Sequence, residues 1–90
     1  MGVVSVEEWS AFLGGVVTPR FPQGLSAWQV AGQWKSADGA LMRENSFVLN
    51  VVHPESEAAE RAIQAIVGEY KARFQQGAVL RVKSYACVSF

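Results

Sequence analysis

The sequence contains very few of the residues on which several common functions depend. Its 90 residues include one cysteine, Cys87, and one histidine, His53. A single cysteine excludes a disulfide bond within the chain and removes the cysteine pairs of a zinc site. The histidine has no neighbouring cluster of cysteines or carboxylates, so we expect no metal centre. The sequence also lacks a glycine-rich phosphate loop, and we expect no cofactor.

The sequence also has no excess of charge of one sign and no long apolar run. Eight lysines and arginines balance eight aspartates and glutamates, and the positive residues are spread along the chain. Because nucleic-acid binding depends on concentrated positive charge, we expect no nucleic-acid partner. No apolar run approaches the roughly 20 residues of a membrane-spanning helix, and no signal peptide opens the sequence. We therefore expect a soluble, cytoplasmic protein without a membrane partner, although a longer natural precursor could be exported.

Hydrophobic residues, in contrast, make up 50% of the sequence, with three tryptophans and five phenylalanines. The length predicts a single domain, residues 1–90. A chain of this size buries only about 60–65% of the surface that its unfolded form exposes, so its stability should depend on a partner. A formal net charge of zero removes long-range repulsion between copies and permits self-association.

The first predicted helix covers residues 5–17. Ser5 and Glu8 have the spacing of a capping box, in which each side chain binds a backbone N–H at the helix start. Gly14 and Gly15 interrupt the pattern, which indicates either a marginal helix or a closely packed backbone at that point. Pro19 predicts the end of the helix near Thr18. The apolar stripe consists of Trp9, Phe12, Leu13, Val16 and Val17.

A β-hairpin is predicted between Leu25 and His53. Alternation on its first strand assigns Trp28 and Trp34 to one face, and Gln29 and Gln33 to the other. The pair Asp38-Gly39 predicts a tight turn, since both residues tolerate a positive φ. The second strand is apolar on both faces from Phe47 to Val52, which is typical of an interior strand covered on both sides.

A second helix from Ser56 to Phe74 follows, with Ser56 as its N-cap and Gly77 as the left-handed residue beyond its end. The last predicted element is a strand from Ala78 to Phe90. The order helix, hairpin, helix, strand gives an α+β fold. We predict a ferredoxin-like αββαβ arrangement, in which two helices cover one face of an antiparallel sheet and the first strand of βαββαβ is missing.

The absent strand would be an interior one, and three repairs are open. The remaining strands could close together, a second copy could lend a strand or its helix-free sheet face, or Gly2 to Val4 could form a short substitute. Because unpaired strand edges and uncovered apolar faces are disfavoured, we predict a homo-oligomer, most simply a twofold dimer.

Several short motifs are distinctive: residues 17–25 (VTPRFPQGL), 32–34 (GQW), 52–54 (VHP), 70–75 (YKARFQ), 79–82 (VLRV) and 87–90 (CVSF). Together they resemble an uncharacterised bacterial family, the domain-of-unknown-function family 3574. Members of that family generally carry a strand ahead of the first helix, and some carry export or lipoprotein signals. The resemblance implies the ferredoxin-like arrangement, but it implies no activity and no catalytic residue.

Eight residues are candidates for a site. His53 is a possible general base, Arg43 a polar group on the hairpin, Tyr70 a hydroxyl at the core edge, and Cys87 a nucleophile. Each also has a simpler structural explanation, as a loop residue, a solvated strand residue, a core aromatic and an unreactive thiol. Candidate ligand-binding residues are Trp28 and Trp34, together with the amides Gln29 and Gln33. Packing in the core or at an oligomer interface is the alternative for the tryptophans.

Three functions remain open from the sequence. The first is a homo-oligomeric domain that binds a small, partly apolar or aromatic molecule in a cavity at the sheet or dimer interface. The second is an enzyme that uses the same cavity, with His53, Arg43, Tyr70 and Cys87 as polar groups. The third is an assembly scaffold without a ligand. Whether the chain is an enzyme depends on whether these polar groups meet in one place.

Overall fold

A computed structural model describes residues 4–76 and 79–89 of the chain. Within them the elements follow the order helix, hairpin, helix, so the fold is α+β. The elements are helix α1 (Val6–Phe12) with a π-helical continuation (Leu13–Val17), strands β1 (Ser26–Lys35) and β2 (Leu41–Asn50), and helix α2 (Glu57–Phe74).

Helix α1 begins with the predicted capping box. The Ser5 backbone N–H donates to Glu8 Oε1 over 3.0 Å, and the Glu8 N–H donates to Ser5 Oγ over 3.1 Å. At Gly14 and Gly15 the helix widens into π geometry, and no atom lies within 4 Å of the position of a Cβ at either glycine. The glycines therefore mark a weak stretch of helix, and no neighbouring backbone packs against them.

The connection between β1 and β2 is longer than the predicted tight turn. The Gly39 N–H donates to the Ser36 carbonyl, and only Gly39 in this loop has a positive φ, of 88°. The Asp38 carboxylate instead accepts hydrogen bonds from the Ala40 N–H over 3.0 Å and from the Ser36 hydroxyl. These bonds lower the pKa of Asp38, with the Ser36 hydroxyl as the largest cause. A side chain and a glycine together thus close the hairpin.

The two strands pair antiparallel over their full length, from Ser26 opposite Asn50 to Lys35 opposite Leu41. Side chains alternate between the faces, and Ala27, Phe47 and Leu49 face the helices. The opposite face carries no helix among the described residues. We call it the open face; it consists of Trp28, Val30, Gly32, Trp34, Met42, Glu44, Ser46 and Val48.

The core lies between α1, α2 and the helix-facing side of the hairpin. Trp9 stacks on Phe47 with ring centroids 4.9 Å apart, and the Tyr70 ring meets both Trp9 and Phe12 edge-on. The contacts between these buried aromatic rings are the main stabilising interaction between the helices and the sheet. The buried hydrophobic residues are Trp9, Phe12, Val16, Val17, Ala59 and Ile66.

Helix α2 starts and ends by different means. Ser56 Oγ accepts a hydrogen bond from the Ala59 N–H over 3.1 Å, which confirms the predicted N-cap. At the other end the left-handed residue is Gln75, with φ of 54° and ψ of 40°. The helix thus ends on a residue with a β-carbon, although glycine is preferred there. Gly77, for which the sequence predicts that role, lies outside the described residues.

The predicted third strand is not formed over the described residues 79–89, which we call the C-terminal segment. They adopt no helix or strand, and all are exposed. The backbone hydrogen bonds described outside helices and strands involve none of them. A strand requires a paired neighbour, and among residues 4–76 and 79–89 no strand pairs with this segment. Its alternating sequence therefore does not form a strand there. Ala78 and Phe90 lie outside the described residues, as do Gly2 and Val3, while Val4 packs on the core without forming a strand.

Among the described residues, no helix is both long enough and apolar enough to cross a membrane.

Candidate functional site

The four candidate catalytic residues have separate surroundings. His53 Nδ1 lies 2.8 Å from the Pro54 carbonyl oxygen. Arg43 Nε donates to Gln33 Oε1 over 3.3 Å, on the surface of the hairpin. Cys87 is an exposed free thiol in the C-terminal segment. These three groups therefore share no hydrogen-bond partner among the described residues.

Tyr70, the fourth candidate, belongs to the aromatic core. Its ring contacts Trp9, Phe12 and Phe74 at centroid distances of 5.0 to 5.9 Å. Burial raises the pKa of its hydroxyl. A phenol that is harder to ionise and packed among three aromatic rings fits the structural explanation of this residue.

The candidate ligand-binding residues are divided between the two faces of the hairpin. Trp28 and Trp34 lie on the open face and are 48% and 52% exposed. Gln29 and Gln33 lie on the same face as Phe47, and Gln33 Oε1 accepts a hydrogen bond from Arg43. The two tryptophans and the two glutamines of one copy therefore cannot contact a small molecule from the same side of the sheet.

Between the tryptophans, β1 contributes no side chain to the open face at Gly32. A β-carbon at Gly32 would lie 3.3 Å from Ser46 Oγ and 3.5 Å from Glu44 Cγ. The missing side chain thus lets these two polar residues of β2 lean across β1. The open face consequently has apolar ends, formed by the tryptophans, and a polar centre.

The densest group of charged and polar side chains lies elsewhere, between the start of α2 and the C-terminal segment. We call it the C-terminal clamp; it consists of Glu55, Glu60, Arg81, Lys83 and Tyr85. Arg81 holds the Glu60 carboxylate with both terminal nitrogens, at 2.5 and 2.6 Å. The Tyr85 hydroxyl donates to Glu55 Oε1 over 2.6 Å, and Lys83 Nζ donates to the same oxygen over 3.2 Å.

Each group in the C-terminal clamp stabilises the charge state of its partner. The Arg81 guanidinium lowers the pKa of Glu60 to about 2, from the usual 4.5. The Tyr85 hydroxyl, and then Lys83, lower the pKa of Glu55. Hydrogen bonds to these carboxylates in turn raise the pKa values of Arg81, Lys83 and Tyr85.

These shifts favour a structural role for the clamp. Two carboxylates with lowered pKa values are weak bases, and a phenol with a raised pKa does not ionise near neutrality. The two negative charges of Glu55 and Glu60 also balance the two positive charges of Arg81 and Lys83. The clamp therefore fixes the C-terminal segment to α2 and has no unsatisfied charge to offer a substrate.

Sequence reasoning did not identify this cluster, although one signal for it was present. Arg81, Lys83 and Tyr85 lie two positions apart and so share one side of an extended chain. Their acidic partners are 21 to 30 residues away in the sequence. Periodicity identifies the polar side of the segment, but it does not identify what that side contacts.

Arg20, within the VTPRFP motif, is a second residue whose role emerges from the structure. Its Nη1 donates to the Val16 carbonyl over 2.9 Å and lies 3.8 Å from Glu69 Oε2 of α2. The next residue, Phe21, places its ring 5.7 Å from that of His53. The motif therefore closes the π-helical end and joins it to α2 and to the loop after β2.

Two open depressions flank α2, and neither is lined by a tryptophan. One is bordered by Ile63, Gln64, Val67, Gly68, Lys71, Val79 and Arg81, and the other by His53, Glu55, Ser56, Glu57, Glu60 and Lys83. The second contains His53 but none of the other three catalytic candidates. Among the described residues, no three His, Cys, Asp or Glu side chains are grouped to hold a metal ion.

Comparison with known proteins gives one result. No curated protein and no solved structure matches the chain significantly. Residues 1–90 match the family described as "Protein of unknown function (DUF3574)". Since the match extends over the whole chain, the protein belongs to this family.

Proposed function

We propose that the chain is a self-associating domain that binds a small, partly apolar or aromatic molecule where two copies meet. The observation that carries the proposal is the open face, on which Trp28, Trp34 and Met42 are 48%, 52% and 40% exposed. Large exposed aromatic residues on one face of a sheet are typical of interfaces and ligand sites.

The solvent-accessible surface of one copy is larger than that of a compact monomer, which supports the proposal that a partner covers part of it. One copy exposes 6910 Å². A compact monomer of this mass exposes about 5,200 Å² by the scaling of surface with mass. The excess exceeds the roughly 800 Å² that each partner buries in a standard interface. A second copy is the simplest occupant, because the formal net charge is zero and an isologous contact needs no other protein.

In this proposal the copies complete a ferredoxin-like sheet. The hairpin supplies two strands with free outer edges, and the C-terminal segment supplies an extended chain without backbone partners. Pairing satisfies those backbone groups, which are costly when buried unpaired. The helices cover one face of each hairpin, and the partner covers the open face.

The glycine at position 32 supports a ligand site between the copies. When two open faces meet, the tryptophans at the ends make contact, and the lack of a β1 side chain at Gly32 leaves a small space between them, bordered by Ser46 and Glu44. The walls of that space are the indole rings, and its polar groups are the Ser46 hydroxyl and the Glu44 carboxylate. Such a space suits a small molecule with an apolar body and a hydrogen-bond donor.

The test of assembly is sedimentation equilibrium at micromolar concentration. We expect the native chain to sediment at twice 9.8 kDa. We expect the double variant Trp28→Gln/Trp34→Gln to sediment as a monomer with an unchanged circular dichroism spectrum. The matched control is Val6→Gln, which removes a 54% exposed hydrophobic residue from α1 and should leave the dimer intact. A native chain that sediments as a monomer would refute the proposal.

The test of binding uses indole, an uncharged aromatic probe with one hydrogen-bond donor, and isothermal calorimetry. We expect one saturable site for each dimer, which Glu44→Gln or Gly32→Ala weakens without dissociating the dimer. A dimer with no saturable site would favour the assembly scaffold without a ligand.

A further inference from the structure

The C-terminal segment combines the features of a strand with the absence of a strand partner. Arg81, Lys83 and Tyr85 turn to one side and contact the acids of the C-terminal clamp. Leu80 and Val82 turn to the other side and are 90% and 83% exposed. This two-residue alternation is that of an extended strand. Fixed in place and without backbone hydrogen bonds, the segment is a template for pairing with another chain.

We propose that the C-terminal segments of two copies pair with each other, antiparallel, about a twofold axis at Ser84. This inference rests on the proposed self-association and specifies a contact additional to the open face. The clamp holds each segment against its own α2, so pairing needs no exchange of elements between copies. Backbone groups that have no partner in one copy are then satisfied by the same groups of the other.

The sequence of the segment favours this register. Centring on Ser84 places Leu80 opposite Val88 and Val82 opposite Ala86, so apolar residues meet on one face. It also uses the whole described segment, from residue 79 to residue 89. Cross-strand apolar pairs of this kind stabilise antiparallel sheets by about 0.2–1 kcal/mol each.

Registers shifted toward the N-terminus are less favourable. Centring on Lys83 places this lysine opposite its own copy in the partner. Centring on Val82 places Arg81 opposite Lys83, so that two positive charges face each other twice across the axis. Like charges directly opposite each other destabilise a sheet. The charges of the clamp residues therefore disfavour registers shifted toward the N-terminus.

A disulfide at the axis tests the proposal. Opposite Cα atoms in an antiparallel pair are about 4.5–5.5 Å apart, within the range that a disulfide spans. In a Cys87→Ser background, we expect Ser84→Cys to oxidise in a glutathione buffer to a covalent dimer of twice 9.8 kDa. Val82→Cys, two residues away, should remain largely uncrosslinked, because its opposite residue is Ala86.

A control variant and the sedimentation result distinguish specific pairing from random collision. Ser10→Cys, in the same background, places an exposed thiol on α1 and should stay monomeric in a denaturing gel. Equal cross-linking of Ser84→Cys and Val82→Cys would mean random collision of a loose tail, and would overturn the register. A chain that sediments as a dimer while Ser84→Cys fails to cross-link would overturn this inference and leave the self-association standing. A monomer by sedimentation would overturn both.

Discussion

At the scale of single residues, the bidentate pair of Arg81 and Glu60 is the contact that most affects a charged group. It joins two residues separated by 21 positions, and it lowers the pKa of Glu60 to about 2. Both side chains remain partly exposed, at 33% and 37%. Solvent therefore screens the pair, and its effect is best detected through its dependence on pH.

The first prediction concerns Glu60→Gln. A carboxylate whose pKa is lowered in the folded state stabilises that state fully above its unfolded value of 4.5, and this stabilisation is lost as the pH falls toward 2. We expect native and variant chains to differ in unfolding free energy above pH 4.5, and to converge toward pH 2. Urea denaturation followed by circular dichroism at each pH measures the difference.

The matched control is Glu57→Gln, one turn away on the same helix. Glu57 contacts Arg61 at 3.7 Å, and its side chain is 94% exposed. Its substitution should change stability very little at any pH. An equal pH-dependent loss in both variants would show that the clamp adds nothing beyond the general charge of α2.

At the scale of elements, the sequence predicts what local interactions determine. The capping box at Ser5 and Glu8, the N-cap at Ser56 and the hairpin are set by residues a few positions apart. The left-handed conformation of Gln75 is not predictable from such rules, because they favour glycine at this position. The predicted left-handed residue, Gly77, lies outside the described residues. The strand from Ala78 to Phe90 was predicted from alternation alone, which does not show whether a neighbouring strand exists.

The second prediction concerns a glycine inside α2. A Cβ at Gly68 would have no atom within 4 Å, and glycine costs a helix interior about 0.5–1 kcal/mol relative to alanine. We expect Gly68→Ala to raise the unfolding free energy by about this amount. Gly39→Ala is the opposite control, since a φ of 88° strains any side chain in the hairpin loop. A loss of stability in Gly68→Ala would indicate that another copy packs against this part of the helix.

At the scale of the whole molecule, one copy is extended. Its principal dimensions are 45 × 27 × 23 Å, and its radius of gyration is 14.7 Å. A compact domain of this length has a radius of gyration of about 12 Å. The core holds few residues, while many large hydrophobic side chains on the hairpin and the C-terminal segment are exposed. The candidate site could be predicted only in part from the sequence, because alternation places Trp28 and Trp34 on one face of the hairpin but does not show that this face is left exposed.

The third prediction follows for stability as a function of concentration. If folding and association are coupled, dilution favours the unfolded chain, by about 1.4 kcal/mol for each tenfold change. We expect the urea midpoint of the native chain to rise with protein concentration. Trp28→Gln/Trp34→Gln should have a lower midpoint that concentration does not affect. A native midpoint independent of concentration would contradict coupled folding and association.

The unequal burial of the three tryptophans has a practical consequence. Trp9 is 8% exposed and stacks on Phe47, whereas Trp28 and Trp34 are about half exposed. An indole shielded from water emits at shorter wavelength than one in contact with it. The chain thus carries separate optical reporters. With Trp28 and Trp34 replaced by phenylalanine, the emission of Trp9 follows the closing of the core. With Trp9 replaced, the remaining emission shifts only when the open face is covered.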